Sequence, residues 1–356
     1  MAFAGDRVAG VRSAVPALVL ASVALAGCGA GHRASAQNAG AARTATRPHA
    51  PRFATWTGRH RVRGVVDLSS PGRGGSIVVA AAGKLLTLTA GGKLAPFAPH
   101  YSAPPGLEPY IARSSGQRVS AAGCRFPVDA IYALRLNHGN GVSVIGPAGG
   151  VRRFARMPNR GLENGIAFDT TGRFGHRLLV TSSVSGKTTL YAIDCRGRVR
   201  VLTREAPKVE GGIAVAPVTF GSFAGELIAP DELSGRIYGI TPAGRWRLVA
   251  RSGLPHGQDV GVESEGFVPA HFAAALVSDR RTRRNRHPGD DLILGLSHAS
   301  LTAARVRPGD LLVVSEGGAQ TIAVACTTGG CTVRHVANGP RIAHVEGHVV
   351  FSASQA

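Results

Sequence analysis

The chain has 356 residues, 44% of them hydrophobic, which is enough to bury a sizeable core, and a formal net charge of +20. Such a balance attracts anionic partners, yet the densest basic run, Arg280, Arg281, Arg283, Arg284 and Arg286, has no aromatic residue among its arginines, which argues against nucleic acid. After the N-terminal segment no stretch is long and apolar enough to span a bilayer.

In chain order, Arg7 and Arg12 form a positive n-region, residues 14–26 are apolar, and Leu25-Ala26-Gly27-Cys28 closes the segment. The pattern resembles a bacterial lipoprotein signal peptide (residues 1–27) with its lipobox, in which Cys28 carries lipid after cleavage. Residues 28–61 are rich in Ala, Arg, Thr, Gly and Pro without apolar periodicity, so they read as a flexible tether. Residues 62–356 then form one domain, anchored by lipid at the extracytoplasmic face of the cell membrane and expected to be monomeric.

Within that domain a glutamate returns in a similar setting five times: Leu107-Glu108-Pro109, Leu162-Glu163-Asn164-Gly165, Val209-Glu210-Gly211, Ser264-Glu265-Gly266 and Val345-Glu346-Gly347. The segments after Glu163 and Glu210 each hold four short β-rich runs split by turn residues. Four strands per unit, recurring at about 50 residues, describe a propeller blade. The step from Glu265 to Glu346 suits two blades. One strand at Glu346 would join the runs near 77–97, so the reading is an all-β, six-bladed propeller closed by its C-terminal strand, with a short helix expected only near residues 295–305.

Cys28 assigned to lipid leaves four cysteines for an oxidising compartment. Cys326 and Cys331 flank Thr327-Thr328-Gly329-Gly330, a hairpin-like turn that favours their pairing. Cys124 with Cys195 follows by elimination, although four cysteines allow three pairings.

The segment from Asp231 through Arg236-Ile237-Tyr238-Gly239-Ile240 to Gly244 resembles the middle hairpin of NHL-type and gluconolactonase-like propellers, with a looser copy at residues 185–197. The resemblance covers residues 160–270 best. It implies a divalent metal, often calcium, held by acidic and amide side chains at inner-strand ends, where it polarises a lactone or ester carbonyl. Glu163, Asn164, Glu210 and Glu265 occupy comparable strand starts.

From the residues themselves, five converging carboxylates (Glu108, Glu163, Glu210, Glu265 and Glu346) would need a compensating cation, for which Ca²⁺ suits hard oxygen ligands. The structural alternative has each glutamate pinning neighbouring blades through backbone amides. Two polar clusters, His256 to Glu265 and His344-Val345-Glu346-Gly347-His348, add candidate bases beside a metal-bound water, His256 first among them. Gly186-Lys187-Thr188 lacks the first glycine of a phosphate loop, and no Gly-x-Ser-x-Gly elbow or Cys/His zinc spacing occurs. The expected function is cation binding at an acidic channel mouth, and through it a small or polymeric ligand. The alternatives are a metal-dependent lactone or ester hydrolase, and a metal-free scaffold that engages anionic surface polymers through the arginine run.

Overall fold

A computed structural model describes residues 53–353 except 105, 137–139 and 159–160. The signal peptide, Cys28 and most of the tether lie outside the described residues. The chain enters through β1 (Ala54–Thr55) and β2 (Thr57–Arg61), then forms a first blade of β3 (Val65–Leu68), β4 (Ile77–Ala81), β5 (Lys84–Leu88) and β6 (Leu94–Pro96). The second blade takes β7 (Ile111–Arg113), skips the small ribbon of β8 (Arg118–Val119) and β9 (Cys124–Arg125), and continues with β10 (Ile131–Arg135), β11 (Gly141–Ile145) and β12 (Val151–Arg156). The third is β13 (Leu162–Phe168), β14 (Leu178–Val184), β15 (Lys187–Ile193) and β16 (Val199–Pro207). The fourth is β17 (Ala214–Val215), β18 (Leu227–Asp231), β19 (Arg236–Ile240) and β20 (Trp246–Arg251).

The last two blades are interleaved. From β21 (Val262–Phe267) the chain makes β22 (Ala274–Asp279), β23 (Leu292–Ser297) and the short helix α1 (His298–Ala303), whose start is capped by Ser297. It then returns through β24 (Leu311–Ser315), β25 (Thr321–Thr327) and β26 (Gly330–Asn338) to end in β27 (Val345–Phe351). β21 pairs with β24, so the fifth blade is β21, β24, β25, β26 and β1, while β27 pairs with β22 to make the sixth blade with β23 and β2. The protein is therefore the expected six-bladed β-propeller, and β27 closes it. Its sheet partner is β22, whereas the runs near 77–97 already have an inner strand, Val65–Leu68, of their own.

Residues 54–61 correct the expected tether, because they are strands of the ring. Trp56 between them is 1% exposed and donates its indole N–H to Thr321 Oγ1 at 2.7 Å. The reason is physical: β1 and β2 cover the outer edges of two blades, which would otherwise present unpaired backbone groups. Both disulfides form as expected, Cys124–Cys195 joining the second and third blades and Cys326–Cys331 within the β25–β26 hairpin. Buried apolar side chains fill the spaces between blades, for example Phe126, Tyr132 and Phe168, packed edge to face. No helix among the described residues is long and apolar enough to cross a membrane.

If the 54–61 segment belongs to the ring, Trp56→Ala lowers unfolding stability by about 3–5 kcal/mol in denaturant titrations. A loss below about 1 kcal/mol would return these residues to the tether.

Candidate functional site

The inner strands run in one direction, so their first residues gather at one end of the axis with the last residues of each second strand. Glu263 and Glu346 are the second residues of β21 and β27, and Glu108 just precedes β7. Arg280 and Glu316 just follow β22 and β24, and His344 just precedes β27. This common polarity builds an acidic cluster. Tyr110 donates its hydroxyl to Glu263 Oε1 at 2.5 Å and lies 3.0 Å from Glu346 Oε2. Arg280 pairs with Glu108 and lies 3.2 Å from Glu346 Oε1. Nε2 of His344 is 3.0 Å from Glu316 Oε1 and 3.2 Å from Glu346 Oε1, and its Nδ1 has no hydrogen-bond partner.

The heart of the cluster is buried, with Glu263, Glu316, His344 and Glu346 all 5% exposed or less, while the Glu108 side chain stays 37% exposed at its rim. Burial and the neighbouring carboxylates, Glu346 foremost, hold Glu263 well above the usual carboxyl range despite the Tyr110 hydrogen bond, and push Glu316 up to about 10. Burial and Glu346 also raise Glu108 to about 7 against the pull of Arg280. Glu346 goes the other way: burial opposes its charge, but His344 and Arg280 outweigh it and hold it below the usual range. At neutral pH the cluster thus keeps protons that a cation would displace.

Two sets of three side chains bring ligand atoms within 4.8 Å of one another, Glu316, His344 and Glu346, and Glu108, Glu263 and Glu346. The second already contains a cation, the Arg280 guanidinium. The first shares Glu346, and so the edge of that guanidinium, but its Glu316 and His344 have no arginine or lysine beside them, and it includes the imidazole nitrogen that both carboxylates approach, so its donors fit a metal ion.

The structure brings together only some of the glutamates expected to converge. Glu108 and Glu346 meet through Arg280, and Glu210 is half-buried and paired with Lys208 at 3.2 Å. Glu163 and Glu265 do not join them, which corrects the five-carboxylate ring. β-Bulges after Glu163 and between Val262 and Ser264 alter the alternation of faces, so similar sequence settings do not aim side chains alike. Glu163 is buried in the third blade opposite Ser182 with no hydrogen bond from another residue, and burial raises its carboxyl to about 7 against the pull of its own N–H and Arg135. Glu265 sits farther along the axis. His256, the expected base, lies on an exposed loop with its ring 3.4 Å from the Leu254 carbonyl, whereas His344 is the imidazole inside the cluster.

Sequence reasoning missed Glu316, Tyr110 and Arg280. Ser315-Glu316-Gly317 repeats the glutamate–glycine signature at the end of a strand, and Tyr110 follows Glu108 by two residues. Arg280 was hidden inside a run whose other arginines, 281, 283, 284 and 286, are exposed.

His348 lies deeper. Its Nδ1 faces both Asp67 oxygens at 3.0 Å and its Nε2 the Ile166 carbonyl at 2.9 Å, so one ring ties the sixth, first and third blades. Burial opposes its charge, but Asp67 and Ile166 together raise its pKa.

No protein-family model and no curated protein matches this chain. Among solved structures, a chain of the nidogen/laminin complex is similar at 13% identity, over 82% of this chain and 86% of that one, with a TM-score of 0.49. Virginiamycin B lyase from Staphylococcus aureus is similar at 14% identity over 79% and 74%, with a TM-score of 0.45. A gluconolactonase-family protein is similar at 15% identity over 68% and 92%, with a TM-score of 0.34.

Glu163 yields a pH prediction. Its folded pKa of about 7 exceeds the unfolded value, so the folded state binds the proton more tightly and stability falls as pH rises from about 4.5 to 7. Glu163→Gln should remove part of that slope and stabilise the protein by about 1–3 kcal/mol at pH 8, with little change at pH 4. Parallel stability–pH curves for the two proteins would contradict it.

Proposed function

We propose that the protein is a lipid-anchored, extracytoplasmic propeller that holds a divalent cation among Glu316, His344 and Glu346 and presents it to a ligand at the acidic end of the axis. The observation that carries this reading is the placement of His344 Nε2 between two buried carboxylates, a separation that a shared proton or a shared cation satisfies. Two carboxylates and an imidazole suit Zn²⁺ or Mn²⁺ better than the Ca²⁺ expected from sequence, which prefers an all-oxygen shell. The all-carboxylate set that calcium would favour is already served by Arg280. When bound, such a metal supplies a Lewis acid; Tyr110, Glu263 and Arg280 would orient what meets it.

The lipid anchor rests on the Leu25-to-Cys28 motif, and the two disulfides fit an oxidising compartment. The hydrolase alternative keeps one supporting observation: an imidazole and a proton-holding carboxyl, His344 and Glu263, flank Glu346. Metal-dependent turnover of a lactone or aryl ester, abolished by His344→Gln, would select it.

Thermal unfolding of the full chain tests the cation. Zn²⁺ or Mn²⁺ added after chelation, at roughly a hundredfold excess over Kd, should raise Tm by about 4–8 °C, with a smaller response to Ca²⁺. Because Glu316 is held protonated when no cation is present, Glu316→Gln should leave the metal-free Tm nearly unchanged yet erase the response. Equal midpoints with chelator and with each metal would refute the site. Separately, Cys28→Ser should release the protein from the membrane fraction; retention there would refute lipidation at Cys28.

A further inference from the structure

The acidic end accounts for the polar groups where the inner strands begin, but not for what lies where they finish. In the first four blades the turns at that second end join the first strand to the second and the third to the fourth, and α1 with the residues after it lies at the same end. Those segments are basic. Arg73, Arg118, Arg173, Arg196, Arg245 and Arg305 are spread around them, and all six are exposed. The carboxylates of the same segments are committed elsewhere: Asp129 to Arg113, Asp194 to Arg198, Glu226 to Arg247 and Asp310 to Arg334, while Asp169 is fully buried under amides of its own loop. Only the Asp129 side chain, at 24%, is more than a tenth exposed. The acidic end differs, because its exposed Arg281, Arg283, Arg284 and Arg286 share it with the solvent-reaching carboxylates of Glu108, Glu210 and Asp259.

Apolar side chains stand among these arginines. Val218 is 77% exposed in the turn after β17, and Trp246 is 48% exposed at the start of β20, next in the chain to Arg245. Arg173 reaches this fourth blade from the third, since a Cβ on Gly225 would lie 2.3 Å from its Cγ, and Arg196 reaches towards the second, with Nη2 3.9 Å from a Cβ on Gly123. The basic groups thus link neighbouring blades. In their midst a recess of about 610 Å³ follows the axis, walled by Ile111, Ile166, Ile213, Val349 and Phe351. Between it and the acidic cluster the strands nearly touch, since a Cβ placed on Gly212 would lie 2.6 Å from the Gly347 carbonyl and 3.1 Å from the Glu265 nitrogen. The two ends are separate.

Arginines without acid partners attract anionic groups, and each one held near a negatively charged bilayer strengthens the attraction. A soluble polyanion would answer the arginines alone. An exposed indole and valine beside them add nothing to such a partner, whereas tryptophan settles at headgroup depth and apolar side chains enter the boundary beneath it. We infer that the end of the ring where the inner strands finish is a docking face for an anionic lipid surface, with the arginines on the headgroups and Trp246 and Val218 inserted among them. The acidic mouth then faces away from the bilayer. This inference rests neither on the cation reading nor on lipidation of Cys28.

Vesicle flotation of the chain from residue 29 onward, which omits Cys28 and keeps every strand of the ring, tests it. Phosphatidylcholine vesicles containing about a quarter phosphatidylglycerol should bind the protein roughly tenfold or more tighter than phosphatidylcholine alone. Emission from the two tryptophans should move to the blue on binding, and Trp246→Phe should remove that shift, because Trp56 is already buried. Arg173→Ser, Arg196→Ser and Arg245→Ser together should weaken binding roughly tenfold or more, whereas Arg281→Ser, Arg283→Ser, Arg284→Ser and Arg286→Ser together should change it by less than about twofold. All the substituted arginines are exposed, and circular dichroism checks that both variants keep the ring. Equal binding to neutral and anionic vesicles, an unmoved emission maximum, or binding that survives the first set of changes or is lost in the second would overturn the docking face. So would polyphosphate that binds the chain and its Trp246→Phe variant as tightly as the anionic vesicles bind the chain, a result that would mark a soluble polyanion as the partner.

Discussion

The ring depends on one buried carboxylate. Asp67, fully buried at the end of the first inner strand, accepts the backbone N–H groups of Leu68, Ile111 and His348 and faces the His348 ring. These partners come from the first, second and sixth blades, so Asp67 joins the early part of the chain to the strand that closes the circle. A charge so deeply buried is tolerable only when it is fully bonded, and here three amides and an imidazole do that. Gly347 makes the approach feasible: its φ of 72° is open to glycine, and a Cβ there would lie 2.3 Å from Asp67 Oδ1.

The placement of the polar groups follows from that closure. Once six inner strands converge with a common direction, their first residues and the ends of their neighbours share one small volume. Carboxylates in that volume must hold protons or find cations. Arg280 and His344 answer part of the demand, which is why Glu346 stays ionised while Glu263 and Glu316 keep protons. Along the same strands the later residues are Ile, Val and Phe, so the other end of the axis is greasy. One molecule thus carries a charged recess and an apolar recess back to back, divided by tightly apposed glycine backbone.

Much of the architecture was legible in the residues, because a glutamate returns near the inner strand of five of the six blades and four turn-separated runs follow it at Glu163 and Glu210. The pairing of the last blades was not. Alternating apolar runs such as Ala275-Leu276-Val277 and Leu312-Val313-Val314 are interchangeable as sheet neighbours, and only tertiary packing decides that β27 takes β22 and β21 takes β24. The site was half legible for a related reason. Glu108 and Glu346 were found by their setting, but bulges turned Glu163 and Glu265 away from them. Trp56, an indole in a polar, proline-punctuated leader, was the available sign that the ring begins before residue 62.

The weave of the fifth and sixth blades bears on how the chain comes to its final form. Each needs an edge strand from residues 54–61, and the sixth needs its innermost strand from residues 345–351, so neither can be completed while the distal segment is still being synthesised. The first four blades can zip up on emergence, each from its own contiguous stretch. The final two must wait for partners nearly three hundred positions apart, a loop closure of the slow, topologically demanding kind. Until then, sticky edges stand open, and that interval is when this molecule is most vulnerable to aggregation and to folding factors alike.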